Sequence, residues 1–307
     1  MSDRTSDGRA ELNPVDEAIV DTAAVAAPGR KRRGLMRRVV SRGMGLTSLV
    51  YLALLIVMAI LGPLIAPYDP NQNDLRAVFE SPTLEHWLGT DDLGRDVLSR
   101  MLVASQVSLL ATLQAVAVGL VLGVLPGVIA GYLGGKVDLI ITRIADVLLS
   151  FPSLILALGI VAILGPGLTN AMLAVGVAYA PRFLRIVRGQ ILFVREETFV
   201  EAAISTGIPR WRVIWGHMLP NAWPALIIQI SFMLGITLII ESSLSFLGLG
   251  VQPPNASWGS MIGGSKAYIE TAPWLVLAPG IVIFLTSLAF NSLGDVFRDE
   301  VTGGREG

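Results

Sequence analysis

Five stretches of the chain run for more than twenty residues without a charged side chain: 43–68, 101–135, 147–181, 218–240 and 271–294. A helix in water keeps a polar stripe, so windows without one are suited to lipid. A bilayer core about 30 Å thick is crossed by about 20 apolar residues at about 1.5 Å each. The pattern predicts six spanning helices, over 44–67, 106–133, 139–164, 168–190, 221–246 and 274–294. The prolines and charge of Pro67-Tyr68-Asp69-Pro70 stop the first, and Gly165-Pro166-Gly167 turns the third into the fourth. The window 101–135 would reach about 52 Å as one helix, so part of it lies along the interface or projects beyond the lipid.

Composition and charge then narrow the picture. Of 307 residues 53% are hydrophobic and 15% charged, with a mean hydropathy of +0.65. Residues 1–42 read as a polar, disordered tail ending in a basic run from Arg30 to Arg42. All the Lys and Arg fall on the side of that tail except Arg76, Arg95, Arg100 and Lys266. The positive-inside rule therefore puts both termini in the cytoplasm. The expected organisation is the tail, a first helix with an outer loop over 43–104, a core over 105–296 and a short C-terminus over 297–307. There is no cysteine, which excludes disulfides and thiolate-ligated metal clusters. A net charge of −1 gives no bulk attraction to nucleic acid. The start of the chain does not read as a cleavable signal peptide.

Between the fourth and fifth helices, 191–220 is too polar to span and too patterned to be a linker. Phe199, Val200, Ala203 and Ile204 share one helical face, Gly207 can end that helix, and Pro209 suits the start of another. Trp211, Ile214, Trp215 and Met218 form a second apolar face. Periodicity alone leaves open whether this helix–turn–helix rests on lipid headgroups or docks on a protein. In the second span Gly119, Gly123, Gly127 and Gly131 repeat every four residues and make one groove, suited to close helix packing. Arg143 and Asp146 are spaced to pair along one helix. Gln114, Gln229 and Glu241 are polar groups within the spans that can face a translocation path or pack between helices.

Residue identities in that loop carry a resemblance. Glu201-Ala202-Ala203, then Gly207, then His217-Met218-Leu219-Pro220-Asn221 resembles the EAA loop of ABC importer permeases, in its peptide-permease branch. His217 departs from the general pattern, which has Ile there. Three further stretches, His86 to Arg100, Glu241 to Gly250 with Trp258-Gly259, and Asn291 to Asp295 with Arg298-Asp299, resemble the C-type subunit of the dipeptide/oligopeptide/nickel permeases. The resemblance covers about residues 45–300. It implies an all-α, type I importer permease fold in a bacterial inner membrane. It implies a homologous permease as partner, two ATPase subunits that bind ATP and Mg, and an extracytoplasmic solute-binding protein. It also implies that Glu201, Ala202, Ala203, Gly207, Trp211, Leu219 and Pro220 belong to an ATPase-coupling element. Glu201 itself can cap or pair with an Arg, or touch the ATPase. The solute expected is a di- or oligopeptide, with nickel or another small solute as the alternative.

Other chemistry is weakly supported. No Gly-x-x-x-x-Gly-Lys-Ser/Thr phosphate loop exists in the chain, so ATP hydrolysis is expected elsewhere. Asp69 to Glu80 resembles a calcium loop but has Asp74 where the sixth-position glycine belongs, so no metal is expected. His86 and His217 fall on opposite sides under this topology and cannot share a site. An ion-coupled secondary transporter would call for deep ionisable residues and internal repeats, neither of which stands out.

Overall fold

A computed structural model describes residues 43–303. The predicted tail over 1–42 and the last residues, 304–307, lie outside the described residues. The helices are α1 (Gly43–Ile65), α2 (Val97–Leu133), α3 (Gly135–Leu149), α4 (Ser153–Leu164), α5 (Leu168–Arg195), α6 (Thr198–Ser205), α7 (Arg210–Val213), α8 (Leu219–Phe246), α9 (Trp258–Ser265) and α10 (Trp274–Gly303). Among the described residues the only extended pairing is one bridge between Thr90 and Asp96. The protein is all-α, as its pattern predicts.

Four helical stretches are long and apolar enough to cross a membrane: Met44–Ile65, Val97–Leu133, Arg210–Phe246 and Trp274–Glu300. The pair α3–α4 makes a fifth if counted as one bent span. The stretch expected as the fourth span is α5, a 28-residue helix whose second half carries Arg182, Arg185, Arg188 and Arg195. It packs along α2, α4 and α8 at the centre of the bundle.

Three expectations change. The second helix begins at Val97 instead of 106 and runs 37 residues, about 55 Å, longer than a bilayer core, which fits the projecting alternative. The single helix expected over 139–164 is two helices meeting at 92°. Pro152 is the reason: it has no N–H to donate, and it sits extended at the start of α4. The carboxylate of Asp146 reaches not Arg143 on its own helix but Arg185 on α5, at 2.8 Å. A second pair, Asp138 with Arg188, ties the start of α3 to α5, with Nη2 to Oδ2 at 2.6 Å.

The seam between α2 and α5 follows from the glycines. A Cβ on Gly119 would stand 3.1 Å from the carbonyl oxygen of Gly176, and one on Gly127 2.8 Å from that of Leu184. On Gly123 it would overlap the carbonyl of Ala180, and on Gly131 it would lie 2.8 Å from Cβ of Ile191. All four glycines face one helix and let the two backbones touch. In lipid, where apolar burial drives no association, such close packing supplies the attraction.

Candidate functional site

At one end of the bundle the chain leaves α5 and folds into α6, a turn, and α7. The turn has a definite physical cause. Ile208 N–H donates to the Ala203 carbonyl at 3.2 Å, and Gly207 N–H donates to Ile204 at 3.0 Å. These are the two bonds of a Schellman motif, which needs a left-handed residue just past the helix. Gly207 supplies it at φ +81°. Ala203 and Ile208, the positions whose apolar side chains accompany the motif, both pack against the core. The four-residue spacing from Ala203 to Gly207 is thus the geometry of a helix stop.

Pro209 then caps α7, accepting from Arg212 N–H at 2.9 Å. After Val213 the backbone widens into a π-turn over Ile214–Met218, in which Leu219 N–H reaches five residues back to Ile214. Pro220 explains its position. It cannot donate to Gly216, and its ring would press on that carbonyl in a regular helix. Widening the preceding turn relieves both problems. The Asn221 side chain donates to the His217 carbonyl at 2.7 Å. Through this turn α7 and α8 form one 37-residue stretch from Arg210 to Phe246.

Burial in this segment departs from the expected faces. Val200, Val213 and Met218 are buried in the main core, and Leu219 joins them. Trp211 and Trp215 are 59% and 53% exposed, and Phe199 and Ile204 are also open. The π-turn shifts the register, so Met218 leaves the face it was expected to share with the tryptophans. Glu201 and Ala202 are exposed. Glu201 makes no ion pair among the described residues. Arg212 lies over the Trp211 ring at 5.2 Å.

The opposite end is a network of buried polar groups. Asp91 accepts from Arg95 Nε at 2.7 Å and from the N–H groups of Leu93 and Arg95. Asp96 caps α2 through Ser99 N–H at 2.8 Å, accepts from Ser99 Oγ and lies 2.9 Å from His86 Nδ1. Arg100 donates to the Pro70 carbonyl at 2.8 Å. Asp69 and Asp74, from the rejected calcium pattern, accept instead from the N–H groups of Asn71 and Arg76.

The three polar candidates in the spans are not brought together. Gln114 and Gln229 are half-buried on α2 and α8. Glu241 has no exposure and does not line an open path in this structure. Its carboxylate accepts from Ser245 Oγ at 2.8 Å and from Ser242 Oγ at 3.4 Å, and Ser257 lies beside it. Sequence reading missed these serines, although Ser242 and Ser245 lie within one turn of Glu241.

This architecture has solved counterparts. Two crystal forms of the inward-facing MetNI methionine ABC transporter align at 20% identity. Their TM-scores are 0.55 and 0.51, covering 66% and 63% of this chain and 96% and 93% of theirs. At that identity they establish the fold. A family described as the binding-protein-dependent transport system inner membrane component matches residues 123–302. The chain belongs to this family. It is a permease subunit of an ABC importer, a multi-pass component of the inner membrane. A second family, the N-terminal transmembrane domain of oligopeptide transport permease C, matches residues 33–82. Among its curated relatives is the probable D,D-dipeptide transport system permease protein DdpC of Escherichia coli (strain K12), 44% identical over 82% of this permease and 85% of that protein. Another is the glutathione transport system permease protein GsiD of Shigella flexneri serotype 5b, 42% identical over 92% of this chain and 95% of that one.

Proposed function

We propose that this permease passes short peptides into the cytoplasm as one half of a heterodimer with a homologous permease. Two separate ATPase subunits bind ATP and Mg and supply the energy, and an extracytoplasmic binding protein delivers the solute. The segment over 196–218 faces the cytoplasm, with both termini, and is the coupling element on which an ATPase sits. The observation that carries this reading is the pair of exposed tryptophans, Trp211 and Trp215, on a helix end braced by buried Val213 and Met218. Aromatic side chains held in the open by a rigid support suit a protein groove. A continuous α7–α8 stretch gives such a groove a handle on the bundle. The glycines Gly119, Gly123, Gly127 and Gly131 keep α2 and α5 together while the bundle rocks. Gln114 and Gln229 are the candidates to meet the solute.

The peptide assignment is supported by the relatives, whose names specify a D,D-dipeptide and glutathione. Both are short, flexible and rich in amide and carboxylate groups. The test is reconstitution of the complete transporter with labelled dipeptide and with nickel. Uptake of the dipeptide should require ATP and stop with a hydrolysis-dead ATPase. Glu201→Lys should lower ATPase copurification or uptake several-fold. Uptake driven by a proton gradient alone, or of nickel but not peptide, would overturn the corresponding part of the reading.

A further inference from the structure

Glu241 lies five residues before the end of α8, at the end opposite the coupling segment. It is fully buried, and among the described residues no Lys, Arg or His forms an ion pair with it. A buried acid without a counter-ion is costly, and an apolar side chain of similar size would fill the space at less expense. What an apolar side chain cannot do is set the direction of hydroxyl groups.

Two of the hydroxyls around Glu241 carry structure beyond α8. Ser245 Oγ donates to the carboxylate, and its lone pairs face Val251 N–H at 3.4 Å. Ser257 is the N-cap of α9, where its hydroxyl oxygen accepts from Ser260 N–H at 3.2 Å. A hydroxyl that donates to Glu241 must turn its lone pairs toward such donors. The carboxylate therefore orients Ser245 toward the 248–251 turn, and Ser257, at the start of α9, lies beside it. That start is also fixed to α2, since Trp258 N–H donates to Ser108 Oγ at 3.2 Å and Trp258 Nε1–H to the Met101 carbonyl at 3.3 Å. α9 rests directly on α8: a Cβ on Gly259 would overlap the backbone of Ser242, and one on Gly263 would lie 2.7 Å from the Phe246 carbonyl. Beside this contact opens a cleft of about 360 Å³ lined by Ser242, Ser243, Phe246, Ile262 and Ile283 among others.

We propose that Glu241 is a positioning residue for transport: it bolts α9 and the 248–251 turn to the far end of the Arg210–Phe246 stretch, so that the outer mouth moves with the cytoplasmic segment. This rests on the coupling reading above. One helical stretch then has the ATPase contact at its first turn and the outer mouth at its last. Glu241 converts motion of α8 into motion of α9, and the cleft between α8, α9 and α10 changes shape with it.

The chain has no cysteine of its own, so single reporters can be placed in it. In the complete transporter in liposomes, one reporter is Ser205→Cys in the coupling segment and the other is Ile262→Cys in the outer cleft. Maleimide labelling is compared with and without vanadate-trapped nucleotide. At both positions the rate should change at least threefold in the otherwise native transporter. With Glu241→Ala the change at Ile262→Cys should vanish, the change at Ser205→Cys should persist, and uptake should fall at least tenfold with ATPase copurification intact. Glu241→Gln, whose amide oxygen still accepts hydroxyls, should restore the outer response and uptake. If Glu241→Ala fails to assemble, Ser245→Ala decides, since it cuts the link from the carboxylate to the 248–251 turn, leaves the cap of α9 intact and should reduce the outer response alone. A Glu241→Ala or Ser245→Ala transporter with a native outer response overturns the proposal. No nucleotide response at Ser205→Cys in the native background overturns the coupling reading and this inference with it, a result distinct from loss at the outer cleft alone.

Discussion

The loop over 66–96 and the segment over 196–218 each turn on a glycine in the left-handed region, and their surroundings are opposite. Gly94, at φ +72°, is buried so tightly that a Cβ there would overlap the carbonyl of Asp74. Gly207, at φ +81°, has nothing within 4 Å of such an atom. Around Gly94 the polar side chains Asp91, Asp96, Arg95 and Arg100 are spent on one another and on backbone groups. Around Gly207 the large side chains Phe199, Trp211 and Trp215 are left open. The ground around Gly94 is finished within its own chain and holds a shape, although Leu75, Leu84 and Trp87 elsewhere on that loop are open too. The open side chains around Gly207 are those proposed above to meet an ATPase.

The same substitution at the two glycines breaks the comparison most sharply. Gly94→Ala adds steric overlap to a strained φ, and should cost about 3 kcal/mol or more. It should show as a large drop in the thermal midpoint of the purified protein in detergent. Gly207→Ala meets only the backbone penalty, about 1–2 kcal/mol. Its midpoint should fall little, while ATPase copurification weakens because the Schellman turn aims α7. If both alanines lower the midpoint equally, the two turns do not differ in packing as described. The smallest effect on stability belongs to Trp211→Ala, within about 0.5 kcal/mol of native for an exposed side chain. Copurification of an ATPase subunit should nonetheless drop several-fold. A Trp211→Ala protein that binds its ATPase normally would remove the tryptophan from the docking surface.

Much of this was legible along the chain because it depends on neighbours in sequence. The four-residue glycine repeat announced a close helix contact, and Ala203 to Gly207 announced a helix stop. Pro152 and Pro220 also spoke locally, by their missing N–H groups, and were underread. The first bends α3 from α4, and the second widens the turn before α8. Other features were not legible, because they depend on which helix lies opposite. Asp146 had a partner within reach at Arg143, and the packing of α3 on α5 gave it Arg185 instead. Glu241 carried no mark distinguishing a path-lining acid from an enclosed one until Ser257, sixteen positions later, came to rest beside it.

By itself the sequence determined that the chain is helical, that its helices suit lipid, and where some of its turns fall, such as those at Gly165 and Gly207. Those properties follow from hydropathy windows, backbone donors and the handedness of glycine, all of which act over a few residues. Only the tertiary structure decided that the α2 glycines meet α5, that the tryptophans point outward while Met218 turns in, and that Glu241 is closed among serines. Each of these is set by a surface brought up from far along the chain, and no local pattern fixes which surface arrives.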